Sequence, residues 1–305
     1  MIRPRPFEVP PELYPYEDHW FERDGSALHY IDVGTSEVPV VMFHGNPTWS
    51  FLYRDIINDL GEDVRCLACD YPGFGFSDHP AGYGYTPEEH ADWVEAWLSS
   101  LNLPPFVMVV QDWGGPIGLS YAVRHPEQIA GLVVMNTWAW PTDLKGKIFS
   151  SVLGGPLGKY LCLQRNFFAD KIVKNAIYYR KRKSPAVFRA YMDPFPGPHE
   201  RLGTYVFPRA IRKSEAMLAT LERDLSALRE TPAELVWGMK DQAFGSEAVI
   251  SQWRTHLPDA RVTRLEKASH YLQEDQPEAI ADAIRRRLED ASSTNRAART
   301  TKEVM

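Results

Sequence analysis

The chain has 305 residues, of which 44% are hydrophobic and 12% aromatic, and its formal net charge is −6. That length is enough for one large domain with an insertion, or for two smaller domains. The acidic balance excludes a basic footprint for nucleic acid, and no apolar run is long enough to span a bilayer. Three cysteines cannot form a disulfide framework and the N-terminus has no apolar signal region, which predicts a reducing, cytoplasmic setting.

The first 140 residues predict a hairpin around Asp24-Gly25, followed by short apolar runs that alternate with helical patterns. The apolar runs have no polar face, which is typical of strands that helices cover on both sides. The apolar runs occupy residues 39–43, 64–69, 106–110 and 129–136, and the helical patterns occupy residues 50–60, 87–101 and 114–125. This alternation predicts right-handed crossovers and a mostly parallel sheet.

The pattern changes after residue 140. Residues 141–213 contain amphipathic helical segments and no convincing strand, whereas strands resume at residues 233–238 and 261–265, before a final helix from residue 277 to about 289. We therefore predict an α/β core in two parts with a helical cap inserted between them, and a disordered tail. The predicted boundaries are 1–140 and 214–291 for the core, 141–213 for the cap, and 292–305 for the tail.

The stretch around Asp112 is the centre of the predicted fold. An apolar run ends at Gln111-Asp112-Trp113-Gly114-Gly115, and a helical pattern follows. This indicates a sharp strand–turn–helix, the nucleophile elbow at whose apex most α/β hydrolases carry Ser. A carboxylate at that apex attacks by alkyl transfer, through an ester to the enzyme, rather than by acyl transfer. The simpler interpretation is that Asp112 only caps the following helix.

Two further polar residues follow predicted strands at the sheet edge where α/β proteins place their sites. Asp241 follows the strand at 233–238 and His270 follows the strand at 261–265, which is the chain order of α/β-hydrolase triads. His270 can deprotonate the water that cleaves an ester of Asp112, and Asp241 can orient its imidazole. Singly, each could be a capping or turn residue. The competing position, Asn136, carries no carboxylate, which leaves Asp241 as the predicted acid.

Asn46 and Trp113 are the predicted anion donors. Their backbone N–H groups are placed to form an oxyanion hole, and their side chains offer an amide and an indole N–H. Two neutral donors beside a carboxylate suit a departing anion such as halide. The alternatives are core packing for Trp113 and a turn before Pro47 for Asn46.

At these residues the sequence resembles the haloalkane dehalogenases, over most of residues 20–290. The resemblance implies that Asp112 displaces halide toward Asn46 and Trp113, and that water activated by His270 cleaves the ester. It implies a small halogenated alkane and water as substrates, with no cofactor and no metal. The chain resembles the subfamily with an Asp-His-Asp triad and an Asn-Trp halide pair in three features together: Asp241 after the later strand, Asn136 in place of a Glu, and Asn46 as a halide donor. The segments that carry the resemblance are residues 44–50, 70–77, 110–115, 237–241 and 269–270.

Three other functions fit parts of the same pattern. An epoxide hydrolase shares the fold, the Asp nucleophile and a tyrosine-bearing cap, but the position of Asn46 is typically apolar there. A dehalogenase-like luciferase uses Glu at the position of Asn136, and a catalytically silent binding protein has no need of an intact triad. Neither nucleic acid nor a membrane is predicted as a partner. The sequence indicates neither the oligomeric state nor the preferred haloalkane.

Overall fold

A computed structural model describes the backbone of residues 3–303 and the side chains of residues 3–293. Eight strands form one sheet in the order β1-β2-β4-β3-β5-β6-β7-β8. The strands are β1 His19–Arg23, β2 Ser26–Val33, β3 Val40–Phe43, β4 Cys66–Cys69, β5 Phe106–Gln111, β6 Ile129–Met135, β7 Ala233–Gly238 and β8 Arg261–Leu265.

Of the strands in this sheet, only β2 runs against the direction of the others. The hairpin β1–β2 is antiparallel, and β2 pairs antiparallel with β4, whereas the pairs from β4 to β8 are all parallel. Strands β3, β4, β5 and β7 are buried along their whole length. Helices on both faces therefore account for apolar runs that show no alternation. The predicted mostly parallel α/β sheet is confirmed.

The helices follow the predicted alternation. Thr86 and Glu89 form a capping box at the start of α2. The α-helices are α1 Arg54–Leu60, α2 Pro87–Leu101, α3 Gly114–Ala122, α4 Leu144–Leu153, α5 Pro156–Arg165, α6 Val173–Asn175, α7 Pro185–Met192, α8 Leu202–Lys213, α9 Glu215–Asp224, α10 Glu247–His256, α11 Leu272–Asp275 and α12 Pro277–Glu303. Short 3-10 turns lie at Ser50–Tyr53, Pro126–Gln128, Arg180–Arg182 and Leu225–Leu228, and one π-helical turn at Phe168–Ile172.

The sheet separates two apolar cores. Met108 and Val110 point into one core, and Val107 and Val109 point into the other, as the two-residue period of a strand requires. On β4, Cys69 and Cys66 are divided between the same two cores. The pair therefore cannot chelate one metal ion, and burial raises the pKa of the Cys66 thiol to about 12.

Helices α4 to α8, all within the predicted cap of residues 141–213, lie between β6 and β7 in the chain and cover the carboxyl ends of the central strands. Phe207 of α8 stacks on Trp113, and Phe195 packs edge-on against Phe74 at 5.7 Å. The indole of Trp49 donates to the carbonyl oxygen of Ala190 at 2.9 Å. The space above the elbow is therefore closed by this helical insertion.

The C-terminal helix differs from the expectation. Helix α12 continues to Glu303, through most of the segment that we expected to be a disordered tail. A helix already nucleated by its packed first half can extend into a polar segment at little cost. Residues 304–305, which belong to the same predicted tail, lie outside the described residues. None of the helices in the described part of the chain combines the length and apolarity needed to cross a membrane.

Candidate active site

The turn between β5 and α3 places Asp112 at its apex with φ +50°. Such a left-handed residue is rare outside glycine and is held here by its surroundings. Thr137 donates its hydroxyl to the Asp112 carbonyl oxygen at 2.5 Å. A Cβ on Gly114 would lie 2.1 Å from the carbonyl oxygen of Phe43, and one on Gly115 would lie 2.0 Å from Oγ1 of Thr137. The two glycines of the motif are therefore required by close packing beneath the apex.

The Asp112 carboxylate faces two different partners. Its Oδ1 accepts from the backbone N–H of Asn46 at 2.8 Å, and its Oδ2 lies 3.5 Å from Nε2 of His270. A Cβ on Gly45 would lie only 2.3 Å from Oδ1, so glycine is needed for this approach. One oxygen is thus fixed by a backbone donor, while the other faces the imidazole.

Asp241 holds the other side of the imidazole. Its Oδ2 accepts from Nδ1 of His270 at 2.8 Å and from the side-chain amide of Asn136, also at 2.8 Å. The amide oxygen of Asn136 accepts from the backbone N–H of Gly238 at 2.7 Å, and Oδ1 of Asp241 accepts from Ala243 N–H. Asn136 therefore acts as an anchor between β6 and the end of β7.

The electrostatics of this group favour a charged imidazole. Burial disfavours the cation, but the charge of Asp241 and the contacts with Asp112 outweigh it and raise the pKa of His270 to about 10. Burial likewise opposes ionisation of Asp241, but His270 and the amide donors lower the pKa of that carboxyl. The two neighbouring carboxyl groups therefore favour the imidazolium over the neutral ring.

Gln111 is a further neighbour of the imidazole. Its side-chain amide nitrogen lies 3.1 Å from Nε2 of His270 and 3.1 Å from the His270 carbonyl oxygen. An amide N–H can donate to Nε2 only when that nitrogen carries no proton. The contact therefore suits the neutral ring, whereas Asp112 and Asp241 favour the cation.

Asn46, whose backbone N–H binds the carboxylate of Asp112, and Trp113, which follows Asp112 in the chain, are the two predicted anion donors. Trp113 begins α3, is 2% exposed, and is enclosed by Phe207 in a stacked arrangement and by Trp138 edge-on at 4.8 Å. The side-chain amide of Asn46 donates to the Thr204 carbonyl oxygen at 3.4 Å, the upper limit for a hydrogen bond. An anion could therefore capture this N–H at little cost.

The loop that carries His270 is fastened to the helical insertion. Asp275 accepts from the backbone N–H of Ser269 at 2.9 Å, and also from Tyr178 at 3.0 Å and Tyr179 at 2.8 Å. The insertion and the histidine loop thus share one carboxylate.

Its neighbour Glu274 is buried among cations. Arg54 binds it through both guanidinium nitrogens, at 2.6 and 2.9 Å, and Lys183 of the insertion binds at 2.7 Å. Burial alone would raise the pKa of Glu274, but these cations lower it to about 2. This cluster ties α1, α11 and the insertion together.

The comparisons with known proteins agree with this geometry. A family model described as the alpha/beta hydrolase fold matches residues 38–277. The chain is 41% identical over 280 residues to haloalkane dehalogenase 2 of Mycobacterium tuberculosis, an alignment that covers 91% of this chain and 97% of that protein. The chain belongs to the haloalkane dehalogenase family of α/β hydrolases.

Other dehalogenases share the three-dimensional fold. The crystal structure of haloalkane dehalogenase DbeA from Bradyrhizobium elkani superposes with a TM-score of 0.83 at 26% identity, and covers 91% of this chain and 99% of that one. A cis-3-alkyl-4-alkyloxetan-2-one decarboxylase of Shewanella oneidensis is 34% identical over 288 residues, which is 90% of this chain and 88% of that protein. The scaffold of the dehalogenases is therefore shared with a decarboxylase.

The sequence predicts five site residues, and the structure places all five around the turn between β5 and α3. They are Asp112, His270, Asp241, Asn46 and Trp113. Sequence reasoning missed the anchoring contact of Asn136, which it considered only as a position without a carboxylate, and the contact of Gln111 with the imidazole. Gln111 directly precedes Asp112, which is the one sequence signal that could have drawn attention to it.

Proposed function

We propose that the chain hydrolyses haloalkanes to an alcohol and a halide through an alkyl ester on Asp112. The observation that supports this most directly is a carboxylate, rather than a hydroxyl, at the elbow apex with Oδ2 facing the imidazole at 3.5 Å. A carboxylate there attacks a saturated carbon, because displacement at that carbon needs a nucleophile and a leaving group but no carbonyl in the substrate.

In the first step, Oδ2 of Asp112 forms a bond to the halogen-bearing carbon and the halide leaves with the carbon–halogen electron pair. The N–H of Asn46 at 2.8 Å from Oδ1 fixes the carboxylate during the attack. The amide of Asn46 and the indole of Trp113 receive the halide as neutral donors. Neutral donors bind halide without pairing with Asp112, which a cationic side chain would do.

In the second step, His270 takes a proton from water, and the oxygen adds to the carbonyl carbon of the ester. The bond to the alkoxide then breaks, and the alkoxide leaves as the alcohol after taking up the proton. Esterification removes the negative charge of Asp112, which is one cause of the raised pKa of His270. The first step therefore lowers that pKa and favours the neutral base that the second step needs.

The amide of Gln111, at 3.1 Å from Nε2, can hold this neutral ring in place. We propose the same helical insertion, residues 141–213, as the lid over the reacting atoms, since Phe207 and Thr204 contact Trp113 and Asn46. A closed, apolar chamber strengthens the electrostatic contacts of the reaction.

Decarboxylation of an oxetan-2-one is the second candidate, favoured by the 34% identity to a decarboxylase. Attack of Asp112 on the saturated ring carbon next to the ring oxygen would break the bond between these two atoms. The ring would open to a carboxylate, an anion that could bind to the halide donors. Loss of carbon dioxide with departure of Asp112 would then give an alkene. That route needs no water, so His270 would have no water to deprotonate.

The deciding experiment exposes a His270→Phe variant to 1,2-dibromoethane and measures the mass of the peptide that contains Asp112. We expect an alkyl adduct and one equivalent of halide, because the ester forms but is not cleaved. In the wild type, a single turnover in heavy-oxygen water should place the label in the Asp112 carboxylate. Absence of both adduct and label would contradict the proposal, and alkene formation from an oxetanone without halide release from any haloalkane would favour the second candidate.

A further inference from the structure

Large exposed hydrophobic side chains are concentrated in one part of the helical insertion. Seven large hydrophobic side chains are strongly exposed among the described residues. Six of them lie between residues 144 and 160, with exposed fractions from 45% to 73%. They are Leu144, Ile148, Phe149, Val152, Leu157 and Tyr160. Exposed apolar side chains concentrated in this way are typical of an interaction site. We call these six residues the apolar strip.

The apolar strip is built by two adjacent helices. Leu144, Ile148 and Val152 recur every four residues on α4 and share one face. Leu157 and Tyr160 lie three apart on α5, directly after the turn that ends α4. Both helices pack against α8, whose Phe207 rests on Trp113. The apolar strip is therefore the outer side of the layer that closes the active site.

The insertion has the opposite charge to the rest of the chain. Residues 141–213 contain 15 Lys and Arg against 4 Asp and Glu, a net charge of +11 in a chain of net charge −6, which leaves −17 for the remainder. Lys145 and Lys159 are exposed on the two helices of the strip. Arg212 reaches α4 at Ser151 with a 2.8 Å hydrogen bond, and the Arg165 guanidinium lies 5.8 Å from the Tyr160 ring. Cations therefore border the apolar strip.

We propose that the α4–α5 face docks on an anionic lipid bilayer. Apolar side chains bordered by Lys and Arg bind at the headgroup–acyl boundary, and an aromatic residue such as Tyr160 suits that boundary. Charge complementarity favours lipid over a symmetric dimer, because two copies of the +11 insertion would repel each other. The expectation of no membrane partner rested on the absence of a spanning run, which surface docking does not need.

Docking in this orientation would place the lid against the phase in which halogenated alkanes dissolve, a consequence that depends on the proposed function. The docking itself does not depend on it. Halide release from a water-miscible substrate without vesicles measures the active site alone, so failure of either proposal can be recognised separately.

The experiment is vesicle flotation of the purified full chain, with phosphatidylcholine alone and with phosphatidylcholine mixed with phosphatidylglycerol. We expect flotation with the anionic vesicles only, weakened by salt. Two double variants, Ile148→Ser with Phe149→Ser and Lys145→Glu with Lys159→Glu, should each lower partitioning by about tenfold or more. The matched control, Arg229→Glu with Arg254→Glu, reverses two exposed charges on the core and should float like the wild type.

Three results would overturn the proposal. The wild type could stay with the aqueous phase, or the core control could lose as much binding as the strip variants. The third is a protein that self-associates through the strip, so that Ile148→Ser with Phe149→Ser converts a dimer to a monomer in sedimentation velocity without vesicle binding. Circular dichroism and halide release from the water-miscible substrate confirm that each variant is folded.

Discussion

Asn136 donates its side-chain amide to Oδ2 of Asp241 at 2.8 Å, on the same oxygen that accepts from His270. One oxygen thus joins the end of β6, the loop after β7 and the loop after β8. Because the Asn136 amide and the Asp241 carboxylate meet there, a carboxylate at either position, after β6 or after β7, could supply the negative charge beside His270. The carboxylate need only reach Nδ1 of the imidazole.

We expect Asp241→Asn to lower kcat by about 10⁴-fold, because the wrong tautomer and an unstabilised imidazolium block ester hydrolysis. Adding Asn136→Glu to this variant should restore part of the lost rate. The Glu side chain is one methylene longer than Asn, and residue 136 already contacts the carboxylate oxygen that binds His270. Steady-state halide release measures both, and Asn136→Glu alone is the control. Equal rates in the single and double variants would show that the position of the acid cannot be exchanged.

Asp112→Asn should abolish halide release and lower the pKa of His270 below the value of about 10 that it has beside the ionised carboxylate. The sign follows from charge, because removing an adjacent anion disfavours the imidazolium. A titration of the imidazole resonances by NMR measures the pKa directly. If the pKa in the variant equalled that of the wild type, Asp112 would not be a cause of the raised value.

Gln111→Leu tests the contact with the neutral ring. The 3.1 Å amide contact with Nε2 can form only after the proton has left, so its loss should slow ester hydrolysis more than ester formation. Rapid-quench kinetics should show a burst of halide followed by a steady state slowed by about tenfold, the effect of roughly 1.4 kcal/mol. Equal slowing of burst and steady state would instead indicate a general disturbance of the elbow. Gln111→Glu is the near-isosteric control.

Substitution of two different glycines should affect catalysis in one case and stability in the other. A Cβ on Gly45 would press on Oδ1 of Asp112 at 2.3 Å, so Gly45→Ala should cost about 10²-fold in kcat with little loss of stability. A Cβ on Gly114 would meet the Phe43 backbone at 2.1 Å, so Gly114→Ala should lower the free energy of unfolding by about 1–3 kcal/mol. Thermal unfolding followed by circular dichroism, beside the halide assay, distinguishes the two. Full activity in Gly45→Ala would contradict the close approach to the nucleophile.

Glu274 should control the acid limit of stability. Its pKa falls from 4.5 to about 2 on folding, so its contribution is complete above about pH 4.5 and is lost as the pH falls toward 2. Glu274→Gln leaves the buried Arg54 with only the partly exposed Asp55, at 3.3 Å, as a carboxylate partner, and should cost about 3–5 kcal/mol at neutral pH. The penalty should shrink in urea unfolding at low pH. Glu247→Gln, which breaks an exposed pair with Arg264, is the control and should change little.

The central sheet and the triad were predictable because they depend on local patterns. A buried run without alternation indicates a covered parallel strand, and parallel strands bring their carboxyl ends to one edge. Asp241 and His270 therefore had to lie near Asp112 once the strands were recognised. Their roles in the reaction remain predictions until the experiments above are done.

The supporting contacts were not predictable for the opposite reason. Asn136 and Asp241 are separated by 105 positions, and Gln111 and His270 by 159. Pairs like these depend on how loops close over the finished sheet, and the sequence carries no periodic signal for them. The extension of α12 through the segment expected to be disordered shows the same limit. Composition alone does not show that a preceding, packed segment has already nucleated the helix.

The carboxylate of Asp275 binds the backbone N–H groups of Tyr178 and Tyr179 of the insertion together with that of Ser269, the residue before His270. An outward movement of the insertion at these tyrosines would remove two of the three backbone donors that hold Asp275, the residue to which Ser269 is bonded. It would also break the hydrogen bond from the Tyr271 N–H to the carbonyl oxygen of Ala176, at 3.2 Å. Because Ser269 and Tyr271 flank His270, we expect the position of the imidazole to be coupled to the position of the insertion.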